Sequence, residues 1–212
     1  MSRWAIFNSL LKEEWAMRNA TIRRKTAETE VSVAIGLDGQ GEGRIDTSIP
    51  FLDHMLNLFA RHGLTDLDVR GRGDTAIDDH HLVEDVGICL GQAVRKALGE
   101  RKGIARYGSA WVPMDESLCG VAMDLSGRPY LVWNAEVGEG RIGGFDPTLL
   151  REFFKSFSDH SGITLHVNLM YGTNGHHMVE AIFKAFARAF REAVAMDGRI
   201  EGVLSTKGSL EG

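Results

Sequence analysis

The sequence predicts an α+β fold made of two similar halves, each a small mixed sheet with two helices on one face. Three observations predict it: three pairs of segments align between the halves, they follow the same order, and each pair shares one pattern of apolar residues. The predicted fold class is therefore an internally duplicated two-layer sandwich.

The first pair of segments is predicted to form strands. "ETEVSVAIGLDG", residues 28–39, aligns with "ESLCGVAMDLSG", residues 116–127, and both alternate apolar residues before a glycine turn. The second pair is "FLDHMLNLFARHGLTDLDV", 51–69, with "LLREFFKSFSDHSGITLHV", 149–167. Each member predicts a helix, a break at a glycine, and then a strand. The two glycines are Gly63 and Gly162.

The third pair is predicted to form helices. "HHLVEDVGICLGQAVRKAL", 80–98, aligns without a gap with "HHMVEAIFKAFARAFREAV", 176–194, and apolar residues recur at helical spacing in both. Each half is thus predicted to run strand, strand, helix, strand, helix. We expect the halves to span 20–107 and 108–200 and to pack as one catalytic domain, followed by a C-terminal tail, 201–212.

The composition argues against several functional classes. The 212 residues carry a net charge of −5, which gives no sign of nucleic acid or an anionic membrane as a partner. No apolar run approaches the ~20 residues of a membrane span. Cys89 and Cys119 lie in apolar runs and are expected to be buried free thiols, as in a reducing compartment. Residues 1–19 lack the features of a signal peptide, and the sequence leaves open whether they form an added amphipathic helix or reflect an upstream start.

Both helices of the third pair begin with two adjacent histidines followed by a glutamate. These residues are His80, His81 and Glu84 in one half, and His176, His177 and Glu180 in the other. On a helix the first histidine and the glutamate share a face, whereas the second histidine points about 100° away. One cluster can therefore contribute to two metal ions, or to one metal ion and a substrate. The alternative is that these polar residues only cap the helices, with Asp79 and Asn174 as the caps.

The donor types favour particular metals. Imidazole with carboxylate suits Mn, Fe or Zn, whereas Ca or Mg would require more oxygen ligands. His54, in the first helix of half one, aligns with Glu152 in half two, and both side chains are capable of binding a metal. Three other histidines are weaker candidates, the last of them expected to be structural: His62, His160 and His166.

Six segments together resemble the imidazoleglycerol-phosphate dehydratases, from about residue 20 to the C-terminus. They are "FLDHML", "DDHHLVEDVGICLGQA", "PMDE", "DLSGRP", "HHMVEAIFKAFARA" and "STKG". The resemblance implies a cytoplasmic enzyme of histidine biosynthesis that removes water from imidazole glycerol phosphate, through an imidazolate bound to two Mn²⁺ ions, to give imidazole acetol phosphate. It also implies no organic cofactor, and a large homo-oligomer of about 24 subunits with active sites between chains.

The same resemblance implies roles for individual residues. One metal site matches His54, His81, His176 and Glu180. The other matches His80, Glu84 and His177, with Glu152 at a position where the family often has a histidine. Glu28 matches a substrate-contacting glutamate and is the expected general acid or base, Glu180 is a second catalytic residue, and Glu116, the repeat partner of Glu28, is a weaker candidate. Substrate contacts are expected from the ligands His54, His80, Glu84 and His176, and from Arg61, Arg106, Arg128, Lys184, Ser205 and Lys207, whose cations suit a phosphate.

Two other functions stay open when the residues are considered without the resemblance. One is a dinuclear metal-dependent hydrolase of phosphate esters, which would release inorganic phosphate instead of a phosphorylated ketone. The other is a metal-storage or metal-assembly protein, which would oligomerise with metal and show no turnover.

Overall fold

The computed structural model describes residues 18–138 and 140–210. The first half consists of β1 (Asn19–Lys25), β2 (Thr29–Gly36), β3 (Gly43–Asp46), α1 (Pro50–Gly63), β4 (Asp66–Gly73) and α2 (His80–Leu98). The second half consists of β5 (Tyr107–Met114), β6 (Ser117–Asp124), β7 (Tyr130–Asn134), α3 (Leu149–Ser161), β8 (Thr164–Tyr171) and α4 (Gly175–Val194). Of the predicted extension 1–19, only Arg18 and Asn19 lie within the described residues.

Each half forms a four-stranded mixed sheet, and the two sheets share one topology. The strand orders are β1-β2-β4-β3 and β5-β6-β8-β7. The first three strands of each order are antiparallel, and the last runs parallel to its neighbour. A helix joins the two parallel strands in each half, which is the crossover that parallel pairing requires. The predicted duplication into mixed sheets with two helices each is confirmed.

The sequence pattern did not predict β3 and β7. These strands have only four and five residues, and each lies at the edge of its sheet. Alternation of apolar and polar residues over four or five positions is too short to identify a strand. In addition, β3 and β7 pair with β4 and β8 only after the intervening helix, which the local sequence pattern does not describe.

The helices lie between the two sheets and join the halves. Helix α2 packs against β1 and β2 and also against α3, while α4 packs against β5 and β6 and also against α1. The core between them is aromatic; its fully buried phenylalanines include Phe59, Phe153, Phe154, Phe157, Phe183, Phe186 and Phe190. Within the described residues, no helix is long and apolar enough to cross a membrane. Cys89 and Cys119 are buried free thiols, as predicted.

The two long helices, α2 and α4, pack differently against the shorter helices that they cross, α3 and α1. A Cβ atom added at Gly87 or Gly91 of α2 would lie 2.6 Å from the carbonyl oxygen of Phe153 or Phe157 of α3. The equivalent residues of α4 are Phe183 and Ala187. Backbone contact between α2 and α3 therefore replaces the side-chain packing that joins α1 to α4.

The helix breaks before β4 and β8 are built differently. Gly162 ends α3 in the left-handed conformation, with φ 71°, as predicted. In the first half, however, Gly63 is still helical, and the left-handed residue is Leu64, with φ 51°. The helix therefore ends at Gly63, as predicted, but the left-handed residue that follows is a leucine, for which this conformation costs more than it does for a glycine.

Candidate active site

The two helices that carry the histidine pairs begin where the sequence predicted. Asn174 caps α4, since its side chain accepts hydrogen bonds from the backbone amides of His176 and His177. Asp79 makes no such bond; Asp78 instead accepts from the amide of His80, at 2.8 Å. Capping by the preceding residues leaves the imidazole side chains available for other partners.

The first cluster joins α1 to α4. His54 Nε2 lies 2.8 Å, and His176 Nε2 3.1 Å, from the same oxygen of Glu180, Oε1. The other carboxylate oxygen of Glu180 accepts a hydrogen bond from Lys184 Nζ at 2.6 Å. Burial would raise the pKa of Glu180, but the hydrogen bonds from Lys184, His54 and His176 outweigh it and hold the pKa at about 2. Glu180 is therefore a carboxylate at neutral pH.

The spacing of these three atoms suits a metal ion. Ligand atoms that lie about 2.1 Å from a transition metal, at right angles to each other, are separated by about 3 Å. The two nitrogen-to-oxygen distances of 2.8 and 3.1 Å match that separation. Two imidazole nitrogens and a carboxylate oxygen form the mixed donor set that suits Mn, Fe or Zn.

A second cluster lies at the start of α2. His81 Nδ1 is 3.0 Å from Asp74 Oδ2 and 3.7 Å from Glu28 Oε2. The hydrogen bond with Asp74 is the main reason that the pKa of His81 is raised. A carboxylate at Nδ1 fixes the tautomer of an imidazole, so Nε2 of His81 is left as the atom available to a metal. The ring of His81 belongs to this cluster and not to that of His54, His176 and Glu180.

His177 is held in the same manner by a different residue. Its Nδ1 lies 2.8 Å from Glu116 Oε2. The other oxygen of Glu116 accepts hydrogen bonds from the amides of Thr173 and Asn174, at 3.1 and 2.8 Å. These bonds, first of all that with His177, hold the pKa of Glu116 far below its ordinary value, and the same pairing raises the pKa of His177. Glu116 thus orients His177, and both of its carboxylate oxygens are hydrogen-bonded within the chain.

The remaining predicted ligands are less closely gathered. His80 Nε2 and Glu84 Oε2, one turn apart on α2, are separated by 3.9 Å. Glu152 pairs with Arg151 at 3.2 Å, and it belongs to none of the clusters of possible metal ligands within the described residues. His166 is exposed on β8.

Most of the predicted phosphate-binding residues line one cavity of about 870 Å³. They are Arg106, Arg128, Ser205 and Lys207. Arg106 is only 8% exposed, and its guanidinium binds both carboxylate oxygens of Asp124 and the carbonyl oxygen of Leu204. Arg106 therefore orders the C-terminal tail against this cavity. The sequence had also suggested Arg61 and Lys184; Arg61 is exposed on α1, whereas Lys184 lies beside Glu180.

Within one chain this basic cavity lies far from the first cluster. His176 is in the first turn of α4, whereas the amide of Arg106 donates to the carbonyl of Ala193 in its last turn. At 1.5 Å per residue, these two points of the helix are about 26 Å apart. A single chain thus carries the two parts at opposite ends of α4.

Comparison with known proteins decides the family. A family model described as imidazoleglycerol-phosphate dehydratase matches residues 47–190. The chain is 64% identical over 195 residues to the protein of that name from Syntrophus aciditrophicus, covering 92% of this chain and 99% of the relative. It is 60% identical over 193 residues to that from Geobacter metallireducens, covering 91% and 99%.

The chain belongs to the imidazoleglycerol-phosphate dehydratase family. Its enzyme class is accordingly that of the dehydratases, the hydro-lyases. Solved dehydratases of Staphylococcus aureus and Pyrococcus furiosus share its fold, each with a TM-score of 0.77 and 38% identity. They cover 84% and 89% of this chain, and in both cases 99% of the solved chain is matched.

Parts of this dehydratase site carry little signal in the sequence. Asp74 lies in a loop, and the equivalent residue of half two is Gly172, so the comparison of the halves gave no sign of a carboxylate at this position. A second cavity, of about 530 Å³, adjoins His54 and His176 and is lined on one side by a loop containing Ile142 and Phe145. The only signal for this loop was the glycine-rich stretch "GEGRIGGF", residues 138–145.

Proposed function

We propose that this protein removes water from imidazole glycerol phosphate to give imidazole acetol phosphate, in histidine biosynthesis in the cytoplasm. Family membership supports the reaction. The observation that carries the site assignment is the convergence of His54 Nε2 and His176 Nε2 on one oxygen of the ionised Glu180. No organic cofactor is needed, because water is eliminated without a change in redox state.

Two Mn²⁺ ions per active site are part of the proposal. The residues that would hold the first ion are His54, His81, His176 and Glu180, and those that would hold the second are His80, Glu84, Glu152 and His177. When bound, the ions supply Lewis acidity to the imidazole of the substrate and fix its orientation. Asp74 and Glu116 support this assignment, because each binds Nδ1 of one ligand histidine and leaves its Nε2 for the ion.

Glu28 is the proposed general acid or base. One proton must leave carbon, and the departing hydroxyl must gain one, so a carboxylate placed beside the substrate is required. The side chain of Glu28 is 57% exposed, and its carboxylate reaches within 3.7 Å of His81 Nδ1. Glu180, held ionised by its three partners, assists as the carboxylate of the first metal site.

The substrate phosphate is proposed to bind in the basic cavity. Arg128 and Lys207 provide its charge, Ser205 provides a hydroxyl, and Arg106 holds the surrounding tail in place. Arg61 is the less secure of the two remaining candidates; Lys184, also predicted to contact the substrate, helps to keep Glu180 ionised. A phosphate held in this way leaves the imidazole end of the substrate free to reach the histidines.

A complete site is proposed to require more than one copy of the chain. The separation of about 26 Å along α4 supports this, because a small substrate cannot span it. The position of His81 outside the first cluster supports it as well. We therefore propose that His81, and the basic cavity, reach the first cluster from a neighbouring subunit of a homo-oligomer of about 24 chains.

The experiment that tests the function is metal removal and return. The protein is stripped with a chelator, and formation of imidazole acetol phosphate is measured with and without added Mn²⁺. We expect loss of turnover on stripping and recovery with Mn²⁺, together with release of no inorganic phosphate. Failure of Mn²⁺ to restore turnover contradicts the metal assignment, and release of inorganic phosphate would instead identify a hydrolase.

A further inference from the structure

The hairpin between β1 and β2 presents Glu28, and a line of hydrogen bonds fixes this hairpin to α2. The line begins at Asp85, which is 7% exposed and lies one helical turn after His81. Asp85 accepts a hydrogen bond from the hydroxyl of Thr29 and another from Arg24 Nε, the latter at 2.7 Å. The hairpin is thus attached to the same helix that carries the ligand histidine.

The hydroxyl protons along this line have a defined order. Since Asp85, paired with Arg24, offers only acceptors, the single hydroxyl proton of Thr29 points to it. The contact of 3.1 Å between the hydroxyls of Thr26 and Thr29 must then use the proton of Thr26. The lone pairs of Thr26 are thereby left to accept the backbone amides of Glu28, at 3.1 Å, and of Thr29, at 2.9 Å.

We propose that Asp85, acting through Thr29 and Thr26, is the positioning residue for Glu28. The line ends at the backbone amide of Glu28 and therefore fixes the position of its main chain. The carboxylate of Glu28 takes no part in these hydrogen bonds. This inference rests on the proposed role of Glu28 as the general acid or base.

The second half supports the assignment by contrast. The residues equivalent to Thr26, Thr29 and Asp85 are Met114, Ser117 and Ala181, which cannot form such a line. There the hairpin is attached to the helix by the carboxylate of Glu116 itself. Glu28 is free for substrate because other residues attach its hairpin.

The test uses Thr29→Val in the Mn-loaded full chain, because this change replaces one hydroxyl by a methyl group. Removal of the charge of Asp85 would leave Arg24 unpaired and could prevent folding. Since a misplacement of about 1 Å costs on the order of 100-fold in rate, we expect kcat to fall at least tenfold. Manganese content and the urea midpoint should change little. Thr29→Ser, which keeps the hydroxyl, should retain most of the activity, and Thr21→Val on the exposed face of β1 serves as the matched control.

A double-mutant cycle with Glu28→Gln separates positioning from other effects. If Thr29 acts through Glu28, Thr29→Val should lower the activity of the Glu28→Gln protein less than twofold, although it lowers that of the wild type at least tenfold. Full activity of Thr29→Val, or an equal loss in both backgrounds, overturns the proposal. If Glu28→Gln itself keeps full turnover, the role of Glu28 fails and this inference with it. Absence of turnover by the wild type with Mn²⁺ would instead refute the proposed function.

Discussion

The first hairpins of the two halves hold equivalent glutamates in opposite ways. In half one, Asp74 binds the histidine and Asp85 attaches the hairpin, so the carboxylate of Glu28 stays exposed. In half two, the residues at the positions of Asp74 and Asp85 are Gly172 and Ala181. Glu116 therefore both binds the histidine and attaches the hairpin to the helix. Both of its carboxylate oxygens accept hydrogen bonds from the protein.

This difference shows how a duplicated fold can separate two roles. Two additional aspartates in one half leave the carboxylate of Glu28 free for its proposed role, whereas in the other half Glu116 itself makes the contacts to the histidine and the helix. Topology is the same in both halves, so the division of roles depends on a few side chains beside each histidine pair. Three predictions test this division of roles, and a fourth tests the difference between the helix crossings of the two halves.

The largest effect is expected for Glu28→Gln. Loss of a general acid or base should lower kcat by about 10²–10⁴-fold at saturating Mn²⁺, with unchanged metal content. Product formation measures it. Glu30→Gln, which alters an exposed neighbour paired with Lys25, is the matched control and should remain close to wild type. Full turnover of Glu28→Gln would show that Glu28 is not the general acid or base.

Substitution of the orienting carboxylates should act mainly on metal binding. Glu116→Gln and Asp74→Asn are each expected to weaken Mn²⁺ binding about 10–100-fold, because each removes the partner that fixes a ligand imidazole. Titration of the stripped protein with Mn²⁺, followed by electron paramagnetic resonance, measures this. At saturating Mn²⁺, most of the turnover of Glu116→Gln should return. A wild-type metal affinity combined with a lasting loss of kcat would mean that Glu116 is catalytic after all.

The asymmetry of the helix crossings predicts a stability difference. Gly87→Ala places a methyl group against the carbonyl oxygen of Phe153, so overpacking should outweigh the gain in helix propensity. We expect the free energy of unfolding to fall by about 1–2 kcal/mol in urea denaturation of the metal-free protein. Gly198→Ala, where an added Cβ meets nothing within 4 Å, is the control. Equal stability of the two variants would show that α2 and α3 can separate without cost.

The smallest effect is a pair of titration shifts. In the metal-free protein, His81 and His177 should titrate above the ordinary 6.5, because each imidazolium faces a carboxylate. Each pairing stabilises the metal-free fold fully below pH 6.5, and this contribution is lost as the pH rises through the raised pKa. NMR of the imidazole protons measures both groups.

The same titration distinguishes the two halves. Glu116→Gln should return the pKa of His177 toward its ordinary value and leave that of His81 unchanged, whereas Asp74→Asn should do the reverse. A shift of both histidines in either variant would show that the two clusters are coupled within one chain. Mn²⁺ affinity should fall as the pH drops below these pKa values, since the ion requires neutral imidazole.

The sequence by itself determined the duplication, the two histidine helices and the separation of the paired histidines. These depend on local periodicity, which places His80 beside Glu84 and turns His81 away. Helix α2 accordingly begins and ends at the residues predicted, His80 and Leu98. Short edge strands such as β3 could not be predicted, because their pairing depends on a crossover rather than on alternation.

Only the tertiary structure decided which carboxylate serves which histidine. Glu28 and Glu116 align in the sequence and share a residue type, yet the carboxylate of Glu116 is hydrogen-bonded to His177 and Asn174, whereas that of Glu28 approaches His81 no closer than 3.7 Å. The deciding contacts join residues far apart in the chain, such as Thr29 with Asp85 and Glu116 with His177. Such partners depend on how strands and helices pack, and periodicity along a single segment contains no information about them.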